Sequence, residues 1–421
     1  MVLKRTTLKK FLILLMFYMP FLRFFTANFG ILYPLTKLAC PLLIILVVFG
    51  LYFNKYKKKK RNYGKLTNWL KLVILLQVSF ALISFLVNLY PVGQFFYGLY
   101  YHLRLPVFCI LLIIFFEQTD VNKVNRFVIK VVYADAVFMT YQFLFMGLRQ
   151  DFLGGLFGNT QGCNGIQNVI CCLGLAITLS KYLYRKKSLR SFLCYIFVTC
   201  YMAAIAELTI YFAEVILALL VSFVVGKKRR ISMRKAIMLF VGGITVIAGF
   251  ALLIWYFPTK ARFLSVEEIL KYLGAEDSGV YTVSRIHGIS QIRKAYMDDG
   301  LLAFLGLGLG RTLEGTPFYT MYGGINYTWF SSTLLMMESG YVGVAIKLFV
   351  LVAFGIKAFK NFKETEKDKK NLHLMCLLMA IFSILWFFYN NTLDDKYCVY
   401  IIAYALSISS IIKKEEGKLA K

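Results

Sequence analysis

Stretches of roughly twenty apolar residues recur along the whole chain, separated by short clusters of lysine and arginine. A helix of that length crosses a bilayer, because each residue advances about 1.5 Å and the hydrocarbon layer is about 30 Å thick. Read as crossings, the runs place helices near 11–28, 31–53, 66–89, 100–117, 127–147, 166–184, 191–206, 209–226, 236–257, 329–356, 372–389 and 397–412. Their boundaries carry about 4 residues of latitude. With 59% hydrophobic residues among 421, there is more apolar surface than a single soluble core encloses. The expected fold class is an all-α polytopic membrane protein, with about twelve transmembrane helices and one long external loop carrying short helices.

The net charge of +28 would suggest nucleic acid in a soluble protein, but here position matters more than amount. The cations cluster at Lys4 to Lys10, Lys55 to Lys65, Lys181 to Arg190, Lys227 to Lys235, Lys357 to Lys370 and Lys413 to Lys421. Twelve crossings put all of these on one side, which the positive-inside rule makes the cytoplasm. Both termini are therefore expected in the cytoplasm, with no nucleic-acid partner and the lipid bilayer as solvent. No small-residue cleavage site precedes the second apolar run, so the first reads as a retained span rather than a signal peptide. The seventh and eighth spans are short and joined at Ala206 to Thr209, which leaves a re-entrant pair as an alternative. Of the nine cysteines, Cys163 alone reads as a loop residue, and neither a disulfide framework nor a CxxC pair is present.

This organisation divides the chain into a membrane bundle of about nine spans (1–257), a large extracytoplasmic loop (258–328), a bundle of about three spans (329–412) and a cytoplasmic tail (413–421). Seventy residues are a long connection in a chain whose other loops are brief, so function is sought there. Ser265 and Glu268 have capping-box spacing and open a short helix ending near Gly274. A second helix is expected from Thr282 to Asp299, with Ile286, Ile289, Ile292 and Tyr296 on one face.

Cations on the expected outer side run against the topological trend: Arg104 at the outer end of the fourth span, Arg149 after the fifth, then Arg262, Arg285, Arg293, Lys294 and Arg311. Guanidinium groups there fit an anionic ligand such as a phosphate, held by paired N–H donors; pairing with a local carboxylate or lipid headgroup is the plainer reading of each one. Carboxylates that could move protons are Glu207, Glu214, Asp298, Asp299, Glu314, Glu338, Asp394 and Asp395. Glu207 and Glu338 stand out because they lie within or at the lip of apolar runs, where an ionisable group is costly. An interhelical hydrogen bond or ion pair is the structural alternative for both. Asp135, Lys130 and Gln142, with Asn164, Gln167 and Asn168, form a polar strip expected to face inward. His102, His287 and His373 are scattered without metal-ligand spacing, so no metal and no cofactor are expected. The run Gly306-Leu-Gly-Leu-Gly310 lacks the form of a P-loop; it suits a tight turn or a close approach of backbone to a ligand or helix.

Ser284-Arg285, then Asp299 through Gly310, then Leu334-Leu-Met-Met-Glu338-Ser-Gly340-Tyr-Val-Gly343 together resemble the late signature of the O-antigen polymerase and ligase superfamily. The similarity covers roughly 284–343. Two departures matter: Trp329 stands where the ligase branch has a histidine, and Leu208-Thr209 is followed by Ile210, Tyr211 and Phe212 without the ligase arginine. The resemblance therefore implies a Wzy-like polymerase, which joins oligosaccharide repeat units carried on undecaprenyl pyrophosphate outside the bacterial plasma membrane. It further implies an inverting, metal-independent glycosyl transfer in which arginines hold the departing pyrophosphate. By matching position Arg285 takes that role and Glu338 joins it as a catalytic-site residue. Arg149, Arg293, Arg311, Arg104 and Glu207 are substrate-binding candidates on charge and placement. Expected partners are the lipid-linked oligosaccharide, a flippase and a chain-length regulator. A flippase or transporter of the same lipid-linked sugars, a ligase-type glycosyltransferase and a membrane O-acyltransferase are the rivals.

A reporter tag inserted into 258–328 is expected to be reachable from outside the cell; labelling that requires opening the cytosol would invert the topology and overturn this reading.

Overall fold

The computed structural model describes residues 5–29, 63–225, 233–274, 282–297, 300–312, 325–366 and 368–419. The chain is all-helical, with no strand among the described residues. Its helices are α1 (Arg5–Phe29), α2 (Tyr63–Asn88), α3 (Val92–Phe115), α4 (Gln118–Phe145), α5 (Cys163–Leu183), α6 (Leu189–Ile205) and α7 (Thr209–Val225). They continue with α8 (Met233–Tyr256), α9 (Val266–Gly274), α10 (Gly288–Tyr296), α11 (Gly300–Leu305), α12 (Ser331–Glu364), α13 (Lys370–Tyr389) and α14 (Val399–Leu419). Seven of these, α2 to α5, α8, α12 and α13, are long and apolar enough to cross a membrane, while α6 and α7 are apolar but shorter. The span expected at 31–53 lies outside the described residues.

Helix α5 lies at the centre of the bundle, with all its residues from Ile166 to Ser180 buried. Helix α2 sits at the rim, where Leu72, Leu75, Leu76 and Leu86 are exposed, as lipid-facing residues are. Helix α14 packs along α3 through Phe108 and Tyr400, whose ring centroids are 5.0 Å apart. Near its end Lys414 Nζ donates to the carbonyls of Ile113 (2.6 Å) and Phe116, closing the C-terminal turn of α3. Those carbonyls have no intrahelical donor, and a buried ammonium satisfies them.

Four expectations are revised. Helix α3 begins at Val92 rather than near 100, so Arg104 is a buried mid-helix residue and not at a helix end; the polar Tyr-Tyr-His-Leu-Arg stretch hid the first turns from a reading by hydropathy. The second loop helix is shorter than expected: Thr282 to His287 form a turn stapled by Ser284 Oγ, which accepts from the amides of Ile286 and His287. Ile286 is consequently exposed and off the helix face. Cys163 is the buried first residue of α5. Lys130 points outward, leaving Asp135, Gln142, Asn164, Gln167 and Asn168 as the buried strip. The helix after Ser265 spans Val266–Gly274, the expected extent, while Glu268 pairs with Lys271.

The feature that positions the site is a break in α12. Gly340 has φ +58° and ψ −161°, outside helical geometry, which frees carbonyls before it from their usual donors. The glycine run fills the gap: the Leu307 amide donates to the Met337 carbonyl (2.8 Å) and the Gly308 amide to the Glu338 carbonyl (3.2 Å). The approach demands bare backbone on both sides. A Cβ at Gly306 would lie 2.4 Å from the Ser339 nitrogen, and one at Gly340 would lie 2.5 Å from the Ala303 oxygen. Gly340→Ala is expected to lose about 1–3 kcal/mol from backbone strain alone, with the clash added. Gly243→Ala, where a Cβ meets open space, should leave the melting temperature in detergent within a few degrees of the parent.

Candidate functional site

Glu338 is the last side chain but one before the break, and it is fully buried. Its Oε1 accepts from Thr312 Oγ1 (2.7 Å) and from the Thr312 amide (3.3 Å). Its Oε2 is 2.7 Å from His102 Nε2 on α3. An ionised carboxylate only accepts, so Nε2 carries the proton in this pair and Nδ1 keeps its lone pair when the ring is neutral. His102 also borders a small cleft whose other polar lining is Gln77, Ser339 and Lys347.

From the cleft the charges continue through Lys347. Lys347 Nζ donates to Asp394 Oδ1 at 2.7 Å, both buried. Arg104 Nη2 donates to the Asp394 carbonyl oxygen at 2.7 Å, and its guanidinium lies 4.0 Å from the Tyr101 ring centroid. Asp394 sits in the turn between α13 and α14. Burial alone would raise its carboxyl, but the Lys347 ammonium, and after it His102, hold it below the ordinary 3.8. On the other flank the buried Tyr90 hydroxyl accepts from the Leu309 amide (3.0 Å); burial pushes it up to about 12, so it stays protonated. Helix α3, the glycine run, α12 and the turn after α13 thus meet at one buried polar network.

Arg285 lies elsewhere, at the start of α12. Its guanidinium is walled by three rings, Tyr272 at 4.3 Å, Tyr389 at 4.9 Å and Phe330 at 5.2 Å to the centroids. Its Nε is buried without a hydrogen-bond acceptor, and no carboxylate among the described residues pairs with it. Stacked rings orient a guanidinium without neutralising it. Glu338 follows Phe330 by eight positions, 338 − 330, a rise of about 12 Å, so Arg285 and Glu338 are not in contact.

A third buried group is Glu214 on α7, which accepts from Trp386 Nε1, Asn168 Nδ2 (3.1 Å) and Cys172 Sγ (2.9 Å). Every donor is neutral, and together they tie α5, α7 and α13. Asp135 receives the Leu156 amide at 2.6 Å, and Gln142 exchanges bonds with Gly155. The polar strip therefore anchors the 154–158 turn.

The remaining candidates are dispersed. Arg149 folds back onto its own helix end, donating to the carbonyl oxygens of Phe143 (2.6 Å) and Leu148 (2.9 Å) over the Phe143 ring. Arg293 is exposed on α10. Arg311 donates to the Leu307 carbonyl, beside the network. Glu207 occupies the turn between α6 and α7 at φ +59° and pairs with Lys260 at 2.6 Å. Asp298, Asp299 and Glu314 lie outside the described residues. Sequence reasoning missed His102, Thr312 and Lys347. A histidine in an apolar run was the available signal for the first; nothing in the spacing ties it to a glutamate 236 positions away.

No model of a protein family matches the chain, and no significant match is found among curated proteins.

Removing one partner of a buried ion pair strands the other. Lys347→Met is therefore expected to cost about 3–5 kcal/mol, and the Lys347→Met, Asp394→Leu double variant much less, as read by thermal unfolding in detergent. A carboxyl held low in the folded protein adds stability above its ordinary value, and that stability is lost as pH falls through the lowered one. The melting temperature should drop below about pH 4, and Asp394→Asn should flatten part of that drop.

Proposed function

We propose that the protein is a membrane glycosyltransferase that joins undecaprenyl-pyrophosphate-linked oligosaccharide repeat units into a surface polysaccharide, whether capsule, exopolysaccharide or O-antigen. In this reading the chain makes about twelve crossings of the bacterial plasma membrane with both termini in the cytoplasm, and 258–328 faces outward. The supporting observation is Arg285: a guanidinium held by Tyr272, Phe330 and Tyr389, with a buried Nε that lacks an acceptor and no carboxylate partner among the described residues. Such a group is a preorganised anion site. Negative charge develops on the diphosphate as the glycosidic bond breaks, and a fixed cation lowers that barrier electrostatically. The flanking tyrosines and Phe330 offer ring faces against which a sugar can stack. Transfer of the anomeric carbon to an acceptor hydroxyl on the opposite face gives inversion. Exposed Arg293 suits the approaching lipid diphosphate better than Arg149 or Glu207, whose polar groups are already engaged.

The break in α12 favours a second reading, a flippase for the same lipid-linked sugars, since discontinuous helices frame substrate sites in transporters. Purified protein in proteoliposomes separates the two. Incubation with lipid-linked repeat units should lengthen them; movement of the units across the bilayer without lengthening would favour transport. Arg285→Ala should leave insertion intact and reduce extension about 100-fold or more, with Arg285→Lys recovering only part because it lacks the planar fork. Wild-type extension by Arg285→Ala would remove Arg285 from the site.

A further inference from the structure

We infer that His102 is the proton acceptor for the incoming sugar hydroxyl and that Glu338 is its positioning residue. The inference rests on the glycosyl-transfer reading above. Three observations carry it. Glu338 is fully buried and both its oxygens are occupied, by Thr312 and by His102. Its burial keeps the carboxylate itself from a substrate, and its chemistry reaches outward through the imidazole. His102 is bonded at Nε2 alone; Nδ1 makes no hydrogen bond to any described residue, and the ring borders the cleft with Gln77, Ser339 and Lys347. Finally, the backbone that holds the pair is tightly restrained, since the Thr312 that grips Glu338 sits at the end of the glycine run clamped on the helix break.

The arrangement has the logic of a carboxylate that fixes an imidazole tautomer and supports the imidazolium that forms. In the step, the acceptor oxygen forms a bond to the anomeric carbon of the donor as its proton passes to His102 Nδ1. The bond from that carbon to the diphosphate oxygen breaks, and the electron pair leaves with the lipid diphosphate. The imidazolium then returns its proton to water. Along α12, Glu338 stands about 12 Å of helix rise beyond Phe330, the ring that flanks Arg285. The charged and titratable groups around His102 are Glu338 and Lys347 on α12, Asp394 in the turn between α13 and α14, and Tyr101 and Arg104 on its own helix. Lys347 is already paired with Asp394 at 2.7 Å, and Arg104 is committed to the Asp394 carbonyl oxygen.

The test uses the full-length protein in proteoliposomes, with a lipid-linked repeat unit as substrate and its non-cleavable phosphonate as binding probe. Wild type should extend chains with a rate that falls on the acid side of neutrality. His102→Asn and His102→Gln should bind the phosphonate with affinity within about two-fold of wild type, lower kcat by about 100-fold or more, and lose the acid-side fall. Glu338→Gln keeps an acceptor oxygen for Nε2–H and should retain more activity than Glu338→Ala. A His102 variant that extends at the wild-type rate with the same pH profile would overturn the inference while leaving the glycosyl-transfer reading standing. Weakened phosphonate binding in parallel with rate would assign His102 to structure and overturn it as well. A wild-type protein that neither binds the phosphonate nor lengthens chains would refute the glycosyl-transfer reading, and the inference with it.

Discussion

A helix interrupted inside an apolar bundle strands carbonyl groups where no water answers them. In this molecule the interruption at Gly340 is answered by backbone rather than by side chains: the amides of Leu307 and Gly308 take up the carbonyls of Met337 and Glu338. Backbone can come that close only where neither partner has a Cβ, which explains why glycines occupy 306 and 340. The same contact delivers Thr312 to Glu338, and Glu338 to His102. One unmet hydrogen-bonding demand thus organises α3, the glycine run, α12 and, through Lys347 and Asp394, the turn before α14.

How much of this was legible in the sequence follows from the range over which each signal acts. Apolar runs are local, and each of the eleven expected spans that falls on described residues coincides with a helix. The short helix after Ser265 was equally local, and it spans Val266–Gly274. The start of α3 was misread because polar aromatics and Arg104 depress hydropathy, although burial against α14 keeps them helical. The glycine run was seen as a place of close approach, but its target was invisible, since the contacts with 337 and 338 depend on a kink that a single glycine in an apolar segment does not announce. His102 was set aside as isolated for a similar reason. Its partner comes from another helix, and no pattern within α3 encodes that pairing.

Charge is sorted sharply in the outcome. Arginines and carboxylates that looked equivalent as residue types fall into two groups once the fold is known. Arg104, Arg149, Glu207 and Asp394 are engaged with protein partners, and their work is architectural. Arg285 is instead surrounded by aromatic faces that restrict its motion, with no carboxylate among the described residues paired to its charge. The contrast is energetic as well as geometric, because a buried pair is neutral overall and a stacked guanidinium keeps its field available to an anion.

The closing of α3 by Lys414 has a temporal side. Lys414 lies 301 positions after Ile113, the carbonyl it caps. The residues of α3 are therefore synthesised long before the ammonium that caps the carbonyls at its C-terminal end. The helix that carries His102 is thus capped by a residue from the last described helix of the chain, so the end of α3 is completed only when α14 has been made.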